Sequence, residues 1–302
     1  MAGNEWWLCL GKPRAKQAIE ELIALGLLER TDTATALMPQ YRLPEVPRDE
    51  EAIFLPKQII TGLGSATPLI RRVRETGDFL ALRMLIDLYG QIETDATLGI
   101  SIQHFRQGEV DDCGVKVCET GVNAIWAVQV PSGMGGSGDW VSPHYIKGKE
   151  PWAEFWHRVH LLKNIGAIWF EPWVFEGVTL DAEPLFPIDP SVLYGVDPSD
   201  KAAELTQLML EASRLFIGER DYLLERHYGE VLLPLPLHHQ TPAIRGVARM
   251  TVEADTPGSR TAFAKRMSAI ERAIRELQLL IQGMNEGAFN RPVQYFRPLE
   301  ME

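Results

Sequence analysis

The sequence predicts an α+β fold, on three observations. An amphipathic helix, a glycine and a strand-like run occur twice, in "AIEELIALGLLERTD" (18–32) and "VHLLKNIGAIWFEP" (159–172). Ile19, Leu22, Leu25, Gly26 and Leu28 are matched without a gap by Val159, Leu162, Ile165, Gly166 and Ile168. A β-rich stretch lies between the copies, and a helical C-terminal region carries a strict heptad. The interval between copies exceeds the 20 to 50 residues of a solenoid repeat, so the expectation is one supersecondary unit used twice. Three segments follow: 1–58, 59–180 with an insertion, and 181–302.

Pro13 suits the first turn of a helix because its missing N–H costs nothing there. That helix runs to about Leu25. Gly26 fits a left-handed C-cap, and "LLERTD" with "TATALMPQYRL" reads as a hairpin around a polar turn at Thr31 to Thr35. Residues 40–60 mix prolines with charges and form a connector. In "TGDFLALRMLIDLYG", Asp78 is an N-cap, Leu82, Leu85, Ile86 and Tyr89 share a face, and Gly90 is the stop.

"LGISIQHF" and "NAIWAVQV" are the best strands of the β-rich stretch, and "PSGMGGSGDW" is a turn. After the second copy, "VTLDAEPLFPIDPSVLYGVDPSD" reads as a long surface connection. A helix over 200–227 carries a stripe of Leu205, Leu208, Ala212, Leu215 and Tyr222. The prolines of "GEVLLPLPLHHQTPAIRGVARM" demote its first half to an edge strand or loop. Thr256 caps the last helix, with Pro257 in its first turn. There Phe263, Met267, Ile270, Ile274, Leu277, Ile281 and Met284 alternate spacings of four and three. This seam either pairs with helix 200–227 inside the chain or joins two copies as a homodimer through helix 257–286.

The 302 residues are 45% hydrophobic and 24% charged, the composition of a globular protein with a real core. A net charge of -11 excludes wholesale coating of a polyanion, so any DNA contact uses a local basic patch. No apolar run is long enough for a bilayer, and the N-terminus lacks a signal-peptide pattern; the expectation is a cytoplasmic protein without membrane contact.

Both "KQAIEELIALGLLERTDTATALMPQYRL" and "WHRVHLLKNIGAIWFEPWVF" resemble the recognition helix and wing of a winged-helix domain. "ELIALGLLER" is similar to the L-x-x-L-G-L-I type of signature of winged-helix regulators. The resemblance makes helix 78–90 the first core helix of the second copy and "LGISIQHF" its small strand. Two departures stand out: the first copy has only a dozen residues before its helix, and the second carries a long insertion. Tandem winged helices serve plasmid and phage replication initiators and transcription factors. The resemblance therefore implies sequence-specific binding of double-stranded DNA, in transcription regulation or replication initiation of a mobile element. By helix-turn-helix logic the helix enters the major groove and the wing touches backbone. In the first copy the readers are Lys12, Arg14, Lys16 and Gln17 on the helix and Arg30 in the wing. The second offers Lys147, Lys149, Arg158 and Lys163, and the last helix adds Arg266 and Arg272. "IRRVRE" places Arg71, Arg72 and Arg74 in another basic cluster. The competing expectation is a protein-interaction scaffold, its aromatic wing "IWFEPWVF" buried against a protein partner.

Enzyme motifs are missing. "TGLGSATP" and "SGMGGSGD" lack the ending of a phosphate-binding loop, and neither an HExxH helix nor a nucleophile elbow occurs. The expectation is a non-enzyme without cofactor. With Cys9 the cysteines number three, too few and odd for a disulfide framework; Cys113 and Cys118 form half a zinc pattern without a second pair, and read as two unpaired thiols. Glu154, His157 and His160 share a helix face, the best candidate for metal or proton chemistry.

Overall fold

The structure is a computed structural model that describes residues 12–31, 39–42, 53–93, 95–100, 114–119, 122–129, 150–179, 181–195, 197–218, 221–239, 241–253 and 255–287. It is mixed α and β with small antiparallel sheets, consistent with the α+β class. The chain divides into two compact units, 1–86 and 87–302.

The first unit opens with α1 (Lys12–Ala24), followed by a minimal hairpin of β1 (Glu29–Arg30) and β2 (Tyr41–Arg42). Glu29 pairs with Arg42 and Arg30 with Tyr41; residues 32–38 of the connection lie outside the described residues. Two short helices follow, α2 (Gln58–Thr61) and α3 (Leu69–Glu75). The division then falls within α4 (Phe79–Gly90). Asp78 is its N-cap, with Oδ1 accepting from the amides of Leu80 and Ala81. The buried face of α4 is Ala81, Leu85, Leu88 and Tyr89, while Leu82 and Ile86 are half-buried.

The second unit holds β3 (Val115–Glu119), β4 (Asn123–Gln129), α5 (Glu150–Asn164), β5 (Ile168–Phe175) and β6 (Pro184–Pro187). It continues with a 3-10 turn at Pro190–Tyr194, α6 (Lys201–Ile217) and α7 (Asp221–Arg226). β7 (Glu230–Pro236), β8 (Ala243–Met250) and α8 (Pro257–Asn285) complete it. Two antiparallel sheets form, in the orders β3-β4-β7 and β6-β5-β8. A boundary at 180/181 would cut the second sheet, since β5 pairs with β6 and β8 beyond it. The segments 59–180 and 181–302 therefore do not separate as expected.

The edge position expected of "GEVLLPLP" is where β7 lies, and its prolines remove donors that an edge strand need not use. "VTLDAEPLFPIDPSVLYGVDPSD" is not only a surface connection. Its Pro-flanked strand β6 occupies the opposite edge of the other sheet, with Phe186 and Ile188 buried. The helix expected over 200–227 breaks at Gly218 into α6 and α7. The buried stripe of α6 runs through Leu205, Met209, Ala212 and Phe216; Leu215 and Tyr222 are exposed. Of "LGISIQHF", Ile100 makes single bridges to Ile92 and Ala248, and residues 101–105 lie outside the described residues. Gly99 is required there: a Cβ would stand 2.0 Å from Val247 Cγ1.

One core joins both sheets to α6 and α8. It packs Ile125, Leu233, Val174, Phe186 and Leu205 with Ile270, Ile274, Leu277 and Ile281. The heptad seam is therefore buried within the chain, and only its first residue, Phe263, is exposed. Thr256 and Ser259 form the capping box that starts α8.

Ile274→Asp places a charge in this core and is expected to cost more than about 3 kcal/mol. Phe263→Ala, at an exposed position of the same heptad, should cost less than about 1 kcal/mol. Urea unfolding followed by circular dichroism checks both; equal losses would put the seam elsewhere.

Candidate nucleic-acid interface

The two copies share one covalent pattern and one turn. In the first, Gly26 at φ 70° closes α1. The Leu27 amide donates to Leu22 O at 2.9 Å and the Gly26 amide to Ile23 O at 3.0 Å. In the second, Gly166 at φ 66° closes α5, with Ala167 N to Leu162 O at 2.8 Å and Gly166 N to Lys163 O at 2.9 Å. Each is a Schellman motif, which satisfies the last helical carbonyls and needs a residue that tolerates positive φ. Each then delivers the chain into an antiparallel pairing, β1 with β2 and β5 with β6.

Burial separates the copies. Leu162 is fully buried, whereas its counterpart Leu22 is 40% exposed; Leu25 is 71% exposed and Ile165 only partly so. α1 turns Ala15 and Ile19 inward and leaves Arg14, Lys16 and Gln17 exposed at its N-terminal end. Arg14 makes no hydrogen bond or ion pair among the described residues. Lys16 faces Glu20 at 3.7 Å, and Gln17 donates to Glu21 at 2.8 Å. Such exposed pairs are worth about 0.2 to 1 kcal/mol, so a phosphate can displace them. Arg30 is exposed beside the Tyr41 ring at 5.9 Å, and Arg42 pairs with Glu29 at 2.5 Å. Lys12 is the first residue of α1. In the same unit Arg71 pairs with Glu75 at 2.9 Å, and Arg72 and Arg74 are half-buried on α3.

The second copy does not offer its cations in this way. Trp156, Val159 and Leu162 are buried. Arg158 is largely buried, holding Glu154 Oε2 at 2.9 Å and Glu154 O at 3.2 Å. Lys163 lies over the Phe170 ring at 5.9 Å. Lys147 and Lys149 fall outside the described residues. Glu154 thus pairs with Arg158, and His160 packs edge-on to Trp156. Among the described residues no group of three or more His, Cys, Asp or Glu side chains is placed to hold an ion. Cys118 is buried in the core, and Cys113 lies outside the described residues. The aromatic wing "IWFEPWVF" is β5, buried by its own chain except at Trp169.

Arg266, expected on a phosphate, is 9% exposed and bound in an ion cluster that the sequence reasoning missed. Glu171, 5% exposed on β5, accepts at Oε2 from Arg266 Nη1 (2.5 Å), Trp173 Nε1 (2.8 Å) and Arg249 Nη1 (3.2 Å). Its Oε1 accepts from Arg266 Nη2, and Arg249 Nη2 donates to Glu253. Two buried cations meet the buried Glu171, and the exposed Glu253 offsets the second positive charge from the rim. Each guanidinium also lies near an indole: Arg266 over Trp173 at 5.3 Å and Arg249 over Trp169 at 5.4 Å. A lone glutamate in an otherwise apolar strand was the available signal. Such a residue needs a buried cation, and "IRGVARM" on β8 supplies one. Arg272, by contrast, is exposed on α8.

Charge divides as burial does. Residues 1–86 hold 11 Lys and Arg and 11 Asp and Glu, so the whole net charge of -11 falls on residues 87–302. No helix of the described residues is long and apolar enough to cross a membrane. No family model, curated protein or solved structure matches the chain.

Glu171→Gln takes from Arg266 the one carboxylate it meets among the described residues and leaves Arg249 with the exposed Glu253, and a loss of about 3 to 5 kcal/mol is expected. Replacing Glu171, Arg249 and Arg266 together by Leu, Met and Met should recover most of that loss. Urea midpoints of the two variants check the pair; a harmless single substitution would show that the cluster contributes nothing.

Proposed function

We propose that the chain binds duplex DNA sequence-specifically through a winged-helix-like first unit, in transcription regulation or in replication initiation of a mobile element. The observation that carries this is the difference between the copies. One buries its helix; the other, in a segment without net charge, leaves Arg14, Lys16, Gln17 and Arg30 exposed.

The mechanism follows from the order of charges along α1. Its N-terminal end carries Lys12, Arg14 and Lys16, where the helix dipole also favours phosphate. Glu20 and Glu21 follow one turn later and are repelled by the backbone, so the helix enters the major groove N-terminus first. There Arg14 has the fork to engage guanine O6 and N7, and Gln17 the amide to engage adenine N6 and N7. Lys12, Lys16 and the hairpin's Arg30 meet phosphates and set the register. The second copy is the structural one in this scheme, and Arg158, Lys163 and Arg266 stay with their protein partners. A homodimer through helix 257–286 would bring two such readers to paired half-sites, using the exposed side of the helix where Leu279 lies rather than the buried seam.

A second reading rests on its own observation. Leu22, Leu25 and Leu27 are exposed at the end of α1, and Phe54 and Phe79 in the same unit are exposed as well. Apolar exposure of this kind suits a protein-interaction scaffold that never meets DNA.

The deciding experiment is fluorescence anisotropy against random duplex DNA across a salt series, with sequencing of the retained fraction. Retention that falls with salt and enriches one motif is expected. Lys16→Ala should flatten the salt dependence by about 0.9 in log–log slope, the share of one phosphate no longer neutralised, and Arg14→Ala should relax the enriched motif at the base pair it reads. Arg158→Ala should leave that slope unchanged. No retention at low salt would overturn the proposal in favour of the scaffold.

A further inference from the structure

We infer that the second unit binds a small carboxylate with an apolar body, in a cavity between α8 and the edges of both sheets. Such a site does not depend on DNA binding. The cavity measures about 520 Å³, within the range of about 300 to 1,000 Å³ typical of small-molecule sites. Ala269 and Ala273, one turn apart on α8, line it together with Pro234 and Pro236 of β7 and Phe186 of β6, and the short alanine side chains leave room on the helix side.

The mouth is polar on one side. Arg272 borders the cavity and makes no hydrogen bond or ion pair among the described residues. Its neighbour one turn on, Glu276, does not pair with it despite the favourable spacing, and its charge acts on His239. His239 packs against His238 with ring centres 4.6 Å apart. Burial pushes its imidazolium pKa below the ordinary value, although Glu176, 3.7 Å away, acts in the opposite direction. Arg272 is the arginine of the lining, with Glu276 one turn away, and a guanidinium fork takes a carboxylate through two parallel hydrogen bonds. The buried His239 Nδ1 has no hydrogen-bond partner. The apolar walls take a hydrocarbon chain or ring, and Arg272 takes the head.

Isothermal titration calorimetry with octanoate, 1-octanol and octylammonium tests this on the full chain. Octanoate should bind one per chain and more tightly than the other two. Arg272→Gln, on an exposed position, should weaken octanoate at least tenfold and bring it level with octanol. Ala269→Leu should fill the space and remove binding of both, with no fall in melting temperature. No heat from any probe, a preference for octylammonium, or octanoate binding unchanged in Arg272→Gln would overturn the inference. If Ala269→Leu lowers the melting temperature, the Arg272→Gln comparison alone decides.

Discussion

The carboxylate of Glu171 is the constraint around which the second unit is arranged. An ionised carboxylate inside a protein is tolerable only when its lone pairs are filled, and here an indole and two guanidinium groups fill them. Those donors come from β5 itself, from β8 and from α8, three elements distant in sequence. The register Trp169↔Arg249 and Glu171↔Val247 keeps Arg249 on the same side of the sheet as Glu171. A one-residue slip would send Arg249 to the opposite side. Apolar packing alone admits many arrangements of α8 over a sheet; an ion cluster with directional bonds admits few.

Much of the fold was legible because its signals are local. Asp78 before an apolar helix, Thr256 before Pro257, and glycines ending two amphipathic helices each report on backbone groups within a turn, and each is found where the pattern placed it. The strand Asn123–Gln129 and the edge position of the proline-bearing β7 were legible on the same ground. What failed depended on distant sequence. The stripe through Leu208 and Leu215 looked apolar, but Met209 and Phe216 face the core, because the neighbouring sheet and not the helix decides which side is inward. Residues 184–187 read as a connection because prolines break most structure, yet an edge strand accepts them. Arg266 looked like one more surface cation because nothing in its own helix shows that Glu171 lies 95 residues earlier.

Of the cations and amides singled out in the two copies, those at positions 14, 16, 17 and 30 are exposed, while those at 158 and 163 are engaged with their own protein. The two copies have the same apolar spacing and the same Schellman glycine, so local pattern could not distinguish them. The difference lies in the aromatic strand after Gly166, "IWFEPWVF", which is long enough to pair on both sides, whereas "LERTD" supports two residues of ladder.

The confinement of acidity to residues 87–302 bears on colloidal behaviour. A neutral first unit with Leu25, Leu27, Phe54 and Phe79 exposed has little electrostatic repulsion to oppose self-association. The covalently attached second unit supplies that repulsion to the whole chain. The 11 excess negative charges therefore act as a dispersant, opposing association between copies through the exposed leucines and phenylalanines of the neutral unit.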